Sequence, residues 1–413
     1  MQDDTAFEQP HPPIIENPAF EFKLLRQLGL ITYGGATFGE CYSVALNMRE
    51  WDLPGWISSW DALARDVEKQ GDVALQKGHM ISAKESYLRA TNYHHAAEYY
   101  AIIAGASHRE YGMRSADCFE KAIPLLTHSA EVLSIQADSH TYPCYFFSPD
   151  DSGVPRPTVL LASGIESCGE EQYFYGAISA LRRGYNVLVF QGPGQTGMLR
   201  IDPGTHLRHD YEVPLQEALD YLETRTDVDQ SRIALLGSGV GSYFAARAAV
   251  FDPRIKALIT NPPFVNIHRI FLALIGQRAT KVDVSLADIH ELPESILRTD
   301  MKLFVLNMSR RFGVQRLQEL IHATKQYSAE DLLYRIHCPL LCIYGDYAYP
   351  ELEDQATMFM EKVGSAEKES IRIPSLHVAD AHDHVGNIAL LNQRVFDWLD
   401  ERFQPPPPAL PPD

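Results

Sequence analysis

The chain has 413 residues and a formal net charge of −18, with 54 acidic residues against 36 lysines and arginines. Single hydrophobic cores stop growing at about 250–300 residues, so we expect one large domain and an accessory domain. The acidic balance excludes a nucleic acid or an anionic membrane surface as partner, because binding phosphate groups requires a basic surface. A small neutral or cationic ligand is more compatible with this charge.

Cysteine usage and the two ends of the chain give further expectations. The six cysteines are scattered, without a C-x-x-C pair, which is typical of a reduced cytoplasmic protein and predicts no disulfide, metal or cofactor. Residues 1–19 contain no basic-then-apolar signal segment and are predicted to be flexible. No apolar run approaches the ~18 residues of a membrane span. The tail "QPPPPALPPD" (404–413) is predicted to be disordered.

Residues 20–127 are predicted to form a helical domain. The segments "SWDALARDVEKQGDVALQKGH" and "MISAKESYLRATNYHHAAEYYAIIAG" space their apolar residues close to the 3.6-residue helical period, and Ser82 is a candidate N-cap of the second helix. His94 and His95 precede a pair of tyrosines in that helix. Two interpretations remain open for them: packing among the aromatic side chains, or a ligand site.

Residues 128–403 change to short β-branched runs that alternate with helical stretches, which indicates a mostly parallel sheet with crossover helices. The eight predicted strands are "AEVLSIQA", "YPCYFFSP", "TVLLASG", "YNVLVFQG", "RIALLGS", "KALITNP", "PLLCIYG" and "SIRIPS". Two antiparallel strands followed by alternating strands and helices predict an α/β-hydrolase fold. The helical stretch at about 263–335, between the sixth and seventh strands, is the predicted lid over a pocket.

The stretch "LLGSGVGSYFAARAA" (235–249) has the strand–turn–helix pattern of a nucleophile elbow. The residues two before and two after the nucleophile must be very small at such a turn. Gly237 and Gly241 meet this condition, so the residue at the tip is Gly239. Ser238 and Ser242 would each place a bulky residue at a tight position. The pattern is therefore G-x-G-x-G, and the predicted elbow has no serine nucleophile.

The chain resembles the α/β-hydrolase family with an N-terminal helical domain, which includes FrsA-like esterases, the carbon–carbon hydrolase of nicotine breakdown and fungal hydrolases that shorten polyketides. The resemblance rests on segments spread along nearly the whole chain. They are "YGGATFGECYSVA", "GHMISAKESYLRATNYHHAAEYY", "LLASGIESCGEEQYF", "RRGYNVLVFQGPGQTG", "DVDQSRIALLGSGVGSYFAARAA" and "AHDHVGNIALLNQRVFDWLDE". It implies a homodimer formed through the helical domain and a small carbonyl or polyketide-like substrate.

The resemblance also assigns catalytic positions. The family's serine falls on Gly239 and its histidine on His382, with His384 and His377 as nearby alternatives. The family's acid falls on Ala348, and Asp346 can replace it only if the loop is remodelled. Two of the three triad residues are thus absent.

The remaining candidate site residues surround the elbow. The family's oxyanion donors are backbone N–H groups, which carry over to Ile165 and Val240. The candidate pocket residues are Gly164, Glu166, Tyr173, Ser238 and Tyr243. For Glu166, packing of its loop is the alternative to a role in the pocket.

Three functions are compatible with these residues. The first is a non-hydrolytic enzyme of secondary metabolism, which uses proton transfer and oxyanion stabilisation for condensation, cyclisation or carbon–carbon cleavage of a polyketide-like carbonyl compound. The second is a catalytically dead pseudo-hydrolase that binds a ligand or acts as a scaffold. The third is a Ser-to-Gly variant of a serine hydrolase, although this leaves Ala348 unexplained.

Overall fold

The computed structural model describes residues 14–49, 51–104, 107–137, 140–346, 350–374 and 384–406. Within these ranges, five α-helices precede the first strand: α1 (Pro18–Gly29), α2 (Phe38–Ala45), α3 (Leu53–Gln76), α4 (Met80–Ala101) and α5 (His108–Ala122). Side chains cap the first three helices, because Asn17, Thr37 and Asp52 accept hydrogen bonds from N–H groups of the first turns. These caps set the starts of the helices in the N-terminal region.

The start of α4 differs from the prediction. The helix begins at Met80 after the N-cap His79, so the predicted N-cap Ser82 lies inside its first turn. The reason is Gly78, which adopts a positive φ of 77° and reverses the chain directly after α3. The reversal lets α4 start three residues earlier and pack antiparallel to α3.

Over the residues that the structure describes, the sheet has eight strands, and each predicted strand is present. They are β1 (Ser129–Ala137), β2 (His140–Ser148), β3 (Arg156–Ala162), β4 (Asn186–Phe190), β5 (Val228–Ser238), β6 (Ala257–Asn261), β7 (Leu340–Gly345) and β8 (Lys368–Ile373). Their order is β1-β2-β4-β3-β5-β6-β7-β8. The β1–β2 and β2–β4 pairs are antiparallel, and the remaining pairs are parallel. This topology confirms the predicted α/β-hydrolase fold.

Helices follow most of the strands. They are α6 (Gly169–Gln172), α7 (Ile178–Arg182), α8 (Thr196–Ile201), α9 (Glu212–Thr224), α10 (Val240–Phe251), α11 (Ile267–Ala279), α12 (Thr299–Phe312), α13 (Leu317–Thr324), α14 (Pro350–Lys362) and α15 (Ile388–Phe403). The helices α11 to α13 lie between β6 and β7, where the lid is predicted. Residues 1–13 of the predicted flexible start and 407–413 of the predicted tail lie outside the described residues.

The sheet separates two apolar cores. Side chains alternate along a strand, so Val159 and Leu161 of β3 pack with the N-terminal helices and α15 on one face. Leu160 points to the other face, where α9, α10 and the helices before β7 pack. The N-terminal helices therefore cover one face of the sheet. Among the described residues, no helix combines the length and the apolar character needed to cross a membrane.

Candidate active site

The turn between β5 and α10 is tight and has Gly239 at its tip. Gly239 adopts φ 53° and ψ −127°, a combination that L side chains rarely adopt. A Cβ atom at Gly237 would lie 2.5 Å from the carbonyl oxygen of Gly241, and one at Gly241 would clash with the carbonyl oxygen of Ala162. Both flanking positions therefore require glycine, and no side chain projects from the tip.

The two neighbouring serines are placed differently. Ser242 is fully buried; its Oγ donates to the carbonyl of Gly237 at 2.9 Å and accepts from the backbone N–H of Asn261 at 3.1 Å. Ser238 ends β5, is buried, and pairs in register with Asn261 of β6. The hydroxyl of Ser242 thus joins the start of α10 to the neighbouring strand.

A histidine lies close to this turn. His384 is buried, and its Nδ1 lies 2.6 Å from Oδ1 of Asn261. Asn261 also accepts the backbone N–H of Gly239 at 2.8 Å, so one residue contacts both the tip and the imidazole. Because the amide oxygen of Asn261 can only accept, this contact favours the tautomer in which Nδ1 carries the proton and Nε2 carries the basic lone pair. His382 and His377 lie outside the described residues.

The acid position is only partly described. Asp346 directly follows β7, and its Oδ1 forms an ion pair with Nε of Arg372 at 2.6 Å. Ala348, on which the family's acid falls, lies outside the described residues. The imidazole of His384 thus contacts the amide of Asn261, and Asp346 contacts a guanidinium.

The loop after β3 passes beside the turn. A Cβ atom at Gly164 would lie 3.4 Å from the carbonyl oxygen of Ser238, so the loop touches the end of β5. The carbonyl of Ile165, the next residue, accepts from Oγ1 of Thr196 at 3.0 Å. Val240 begins α10, where N–H groups are not used within the helix. The loop and the helix start can thus supply the donors of an oxyanion hole.

A cavity lies where the N-terminal helices, this loop and α12 meet. Most of its lining side chains are polar or ionisable, and two are apolar, Ile102 and Leu199. The polar and ionisable ones are His95, Glu98, Tyr99, His108, Glu166, Thr196, Asn307 and Arg311. Glu166, one of the candidate pocket residues, lines this cavity. Because Glu166 follows Ile165 directly, the loop that touches the turn also forms part of the cavity wall.

Buried ion pairs surround the cavity. Lys23 of α1 binds Glu166 at 2.6 Å, and Arg200 of α8 binds Glu98 at 2.6 Å and Glu170 at 2.9 Å. Burial alone would raise the pKa of Glu98, but the Arg200 guanidinium lowers it to about 2. Each of these carboxylates therefore stays ionised and compensated by a cation.

Arg311 is the exception among these cations. It is 2% exposed and donates to three neutral acceptors: Oδ1 of Asn307 at 2.9 Å, the carbonyl of Gly194 at 2.8 Å and Oγ1 of Thr196 at 3.1 Å. Among the described residues, no carboxylate oxygen lies within 4.0 Å of its guanidinium nitrogens. Burial accordingly lowers the pKa of Arg311 to about 10, partly offset by the carboxylates of Glu166 and Glu98.

The other four candidate pocket residues, Gly164, Tyr173, Ser238 and Tyr243, do not line this cavity. Tyr173 packs against Phe119 and Phe147 between the N-terminal helices and the sheet, and Tyr243 packs against Tyr327 and donates to the carbonyl of His209 at 2.7 Å. Conversely, Glu98 and Arg311 line the cavity but are not among the residues predicted from the sequence. The sequence pattern that could have indicated them is a charged residue at a position where the helical period predicts an apolar, buried side chain.

Comparison with known proteins agrees with this fold. The sequence pattern described as esterase FrsA-like matches residues 42–313. The alpha/beta hydrolase xenA of Xenoacremonium sinensis is 31% identical, over 93% of this chain and 96% of that protein. Hydrolyase poxO of Penicillium oxalicum is 36% identical, over 93% and 97%. The structure of 2,6-dihydroxy-pseudo-oxynicotine hydrolase superposes with a TM-score of 0.69 at 22% identity, over 91% of this chain and 95% of that one. The predicted family resemblance is thus confirmed.

Proposed function

Because this chain belongs to the FrsA-like esterase family of α/β hydrolases, we propose that it is a tailoring enzyme of fungal secondary metabolism that works without a serine nucleophile. Its substrate is a polyketide-like carbonyl compound. The reaction is a condensation or cyclisation that forms a carbon–carbon bond, or the cleavage of such a bond. These reactions share one step, the removal or return of a proton next to a carbonyl group.

The observation that carries this proposal is the glycine at the tip of the elbow. Acyl-enzyme chemistry needs a nucleophilic oxygen or sulfur at this point, and Gly239 provides neither. The substrate carbonyl is then protected from acyl transfer, while proton transfer beside it requires only a base and oxyanion donors.

We assign the base to His384. The Nδ1 proton is held by Oδ1 of Asn261, so Nε2 is the atom that removes a proton from the carbon next to the carbonyl. The electron pair of the broken C–H bond moves to the carbonyl oxygen, and the N–H groups of Ile165 and Val240 hold the resulting enolate. In a condensation, the enolate carbon then attacks a second carbonyl, and His384 gives its proton to the alkoxide that forms. In a cleavage, the same steps run backwards: His384 removes the proton of a β-hydroxyl group, the carbon–carbon bond breaks to leave a carbonyl and the enolate, and His384 gives the proton to the enolate carbon. The amide of Asn261 acts as a positioning group.

The names of the relatives fall into two groups. PoxO of Penicillium oxalicum and ccsE of Aspergillus clavatus are both called hydrolyases. Relatives named hydrolases, such as acrC of Aspergillus aculeatus, span a similar share of the chain.

A labelling experiment tests the missing nucleophile. A fluorophosphonate probe should leave the wild-type chain unlabelled between residues 235 and 249, as read by mass spectrometry of tryptic peptides. Gly239→Ser restores the hydroxyl but not the acid at position 348, so we expect little turnover of p-nitrophenyl acetate. Labelling of wild-type Ser238 or Ser242 would overturn the proposal, and vigorous ester turnover by Gly239→Ser would favour an altered serine hydrolase.

A second experiment tests the base. In the native host, His384→Gln should change the polyketide metabolite profile, read by liquid chromatography and mass spectrometry, as deletion of the gene does. His322→Gln is the matched control, because His322 is exposed on α13 and should leave the profile unchanged. An unchanged profile for His384→Gln would refute the assignment of the base. An unchanged profile after gene deletion would refute the proposed function itself.

A further inference from the structure

Three helices of the N-terminal region bring metal-ligating side chains to one point. Glu68 of α3, His94 of α4 and Cys118 of α5 place a carboxylate oxygen, an imidazole nitrogen and the thiol sulfur within 4.8 Å of one another. Carboxylate, imidazole and thiolate are the side-chain ligands that Zn²⁺ uses in proteins. The scattered cysteines alone predict no metal, because each ligand lies on a different helix and no short motif marks the cluster.

The histidine of this cluster is buried without a hydrogen bond. His94 is fully buried, and among the described residues neither of its ring nitrogens has a hydrogen-bond partner. Its Nε2 lies 3.5 Å from Oε2 of Glu68. A nitrogen and an oxygen that bind the same tetrahedral Zn²⁺ at about 2.0–2.2 Å lie roughly 3.3–3.5 Å apart, so this separation suits an ion bound to both atoms. Because a buried polar group without a partner is costly, the position favours a ligand.

The other side of the imidazole is arranged as in metal sites. Nδ1 of His94 lies 3.5 Å from Oδ1 of Asp61, which is also on α3. A histidine that binds a metal through one nitrogen usually directs the N–H of the other to a carboxylate, which fixes its tautomer and makes it a stronger ligand. Asp61 is thus placed to orient His94 so that Nε2 binds the ion. Without an ion, a proton on Nε2 can take its place beside Glu68.

The charges around the cluster are compatible with a bound cation. Lys121 of α5 lies 2.8 Å from Oε1 of Glu68 and 3.1 Å from Oδ1 of Asp72. It therefore pairs with the oxygen of Glu68 that does not face His94. The side chain of Glu68 is 25% exposed, whereas Cys118 is fully buried. An ion would thus enter from the solvent side, past Glu68, and reach the sulfur last.

We propose that Glu68, His94 and Cys118 bind one Zn²⁺ ion, with a water molecule as the fourth ligand. The thiol of Cys118 gives its proton to solvent as it binds, and His94 binds through the lone pair of Nε2. The ion links α3, α4 and α5, so it stabilises the helices that cover one face of the sheet. The site uses none of the residues of the proposed reaction, and it does not depend on the proposed function.

Cobalt spectroscopy tests the set of ligands. The full-length protein is freed of metal with a chelator, reduced, and titrated with Co²⁺ in the absence of oxygen. We expect one Co²⁺ per chain, with the strong visible bands of a four-coordinate ion and a near-ultraviolet charge-transfer band that reports a thiolate ligand. Zn²⁺ should displace the cobalt and abolish both signals, because it prefers four-coordinate sites with nitrogen and sulfur ligands.

Two pairs of variants assign the signals to these side chains. Cys118→Ser should abolish the charge-transfer band, whereas Cys144→Ser, which changes a buried cysteine of β2, should retain it. Glu68→Gln should weaken Co²⁺ binding about tenfold or more, and Asp72→Asn less than twofold. The second pair is matched, because each variant removes a carboxylate that pairs with Lys121. Circular dichroism verifies folding, and if Cys118→Ser does not fold, the second pair still decides.

Thermal unfolding gives a second measurement. Zn²⁺ should raise the melting temperature of the chelator-treated wild type and of Cys144→Ser, but not that of Cys118→Ser, because an ion that binds only the folded state stabilises it. Visible cobalt bands without the charge-transfer band, or equal binding by Glu68→Gln and Asp72→Asn, would show an adventitious ion only and would overturn the site. A wild-type protein that binds no Co²⁺ would also overturn it.

Discussion

Adjacent histidines of α4 show how strongly the surroundings decide the role of a residue. His94 and His95 are both fully buried, but they point to different neighbours. His95 lies against the ring of Tyr99 and lines the cavity, with Nδ1 near Glu98. The Nδ1 and Nε2 atoms of His94 each lie 3.5 Å from a carboxylate oxygen of α3, those of Asp61 and Glu68. The aromatic packing considered for the pair thus applies to His95.

The position of His94 predicts a pH dependence of stability. Burial favours its neutral form, but Asp61 and Glu68 outweigh burial and raise its pKa above 6.5. A raised pKa in the folded state stabilises the fold at low pH, and this contribution is lost as the pH rises through the folded pKa. Urea unfolding should therefore show that the difference in unfolding free energy between wild type and His94→Gln shrinks from pH 6 to pH 9.

The other charged groups around His94 do not reverse this prediction. They lie on α3 and α5. Arg65 and Arg114 pair with Asp61, and Lys121 pairs with Glu68. Burial raises the pKa of the Cys118 thiol, so this group stays neutral in this pH range. The control is His322→Gln, whose side chain is exposed. A constant difference between wild type and His94→Gln over this range would show that folding does not shift the pKa of His94.

At the scale of an element, the start of α10 depends on glycine spacing. The helix begins directly after β5 and packs against the end of β3, which brings the backbone of Gly241 against the carbonyls of Ala162 and Ser163. Because these neighbours are backbone atoms in the middle of the sheet, they cannot move aside cheaply.

Gly241→Ala should therefore destabilise the protein. We expect a loss of about 1–3 kcal/mol, the usual cost of forcing a methyl group into a packed site, read from the urea midpoint. Gly39→Ala is the control: Gly39 is exposed in α2, a Cβ atom there meets nothing within 4 Å, and alanine favours helix by about 0.5–1 kcal/mol. A Gly241→Ala variant as stable as wild type would mean that α10 starts differently.

At the scale of the whole molecule, buried ion pairs join the N-terminal helices to the sheet region. Arg26 of α1 binds both carboxylate oxygens of Glu171 in α6, which also accepts from Tyr99 and Ser167. Burial alone would raise the pKa of Glu171, but Arg26 lowers it to about 2. The interface therefore contains full charges in a buried setting, next to the cavity.

Removing one partner of this pair should be costly. Glu171→Gln leaves the buried Arg26 without its carboxylate and should lower the unfolding free energy by about 3–5 kcal/mol. The double variant Arg26→Leu/Glu171→Leu should lose less than the sum of the single losses, because no charge is then left unpaired. As control, Asp283→Asn breaks an exposed pair with Arg316 and should cost less than about 1 kcal/mol. Additive losses in the double variant would show that the two side chains act independently.

The sequence by itself determined the fold and the identity of the turn. Apolar runs of strand length between helical segments specified all eight strands, because both faces of the sheet are buried. The spacing of the three glycines is sufficient to predict Gly239 at the tip. A turn of this kind needs glycine two residues before and two residues after its tip, because the backbone leaves no room for a Cβ atom at Gly237 or Gly241. These are local properties, and local chemistry suffices to predict them.

Only the tertiary structure decided which distant side chains meet. The contact between His384 and Asn261 spans 123 residues, that between Lys23 and Glu166 spans 143, and that between Arg311 and Thr196 spans 115. A charged residue in a helix looks the same in the sequence whether it faces water or a cavity. The difference arises from how the N-terminal helices and α12 close over the sheet, and that packing is set by the whole chain.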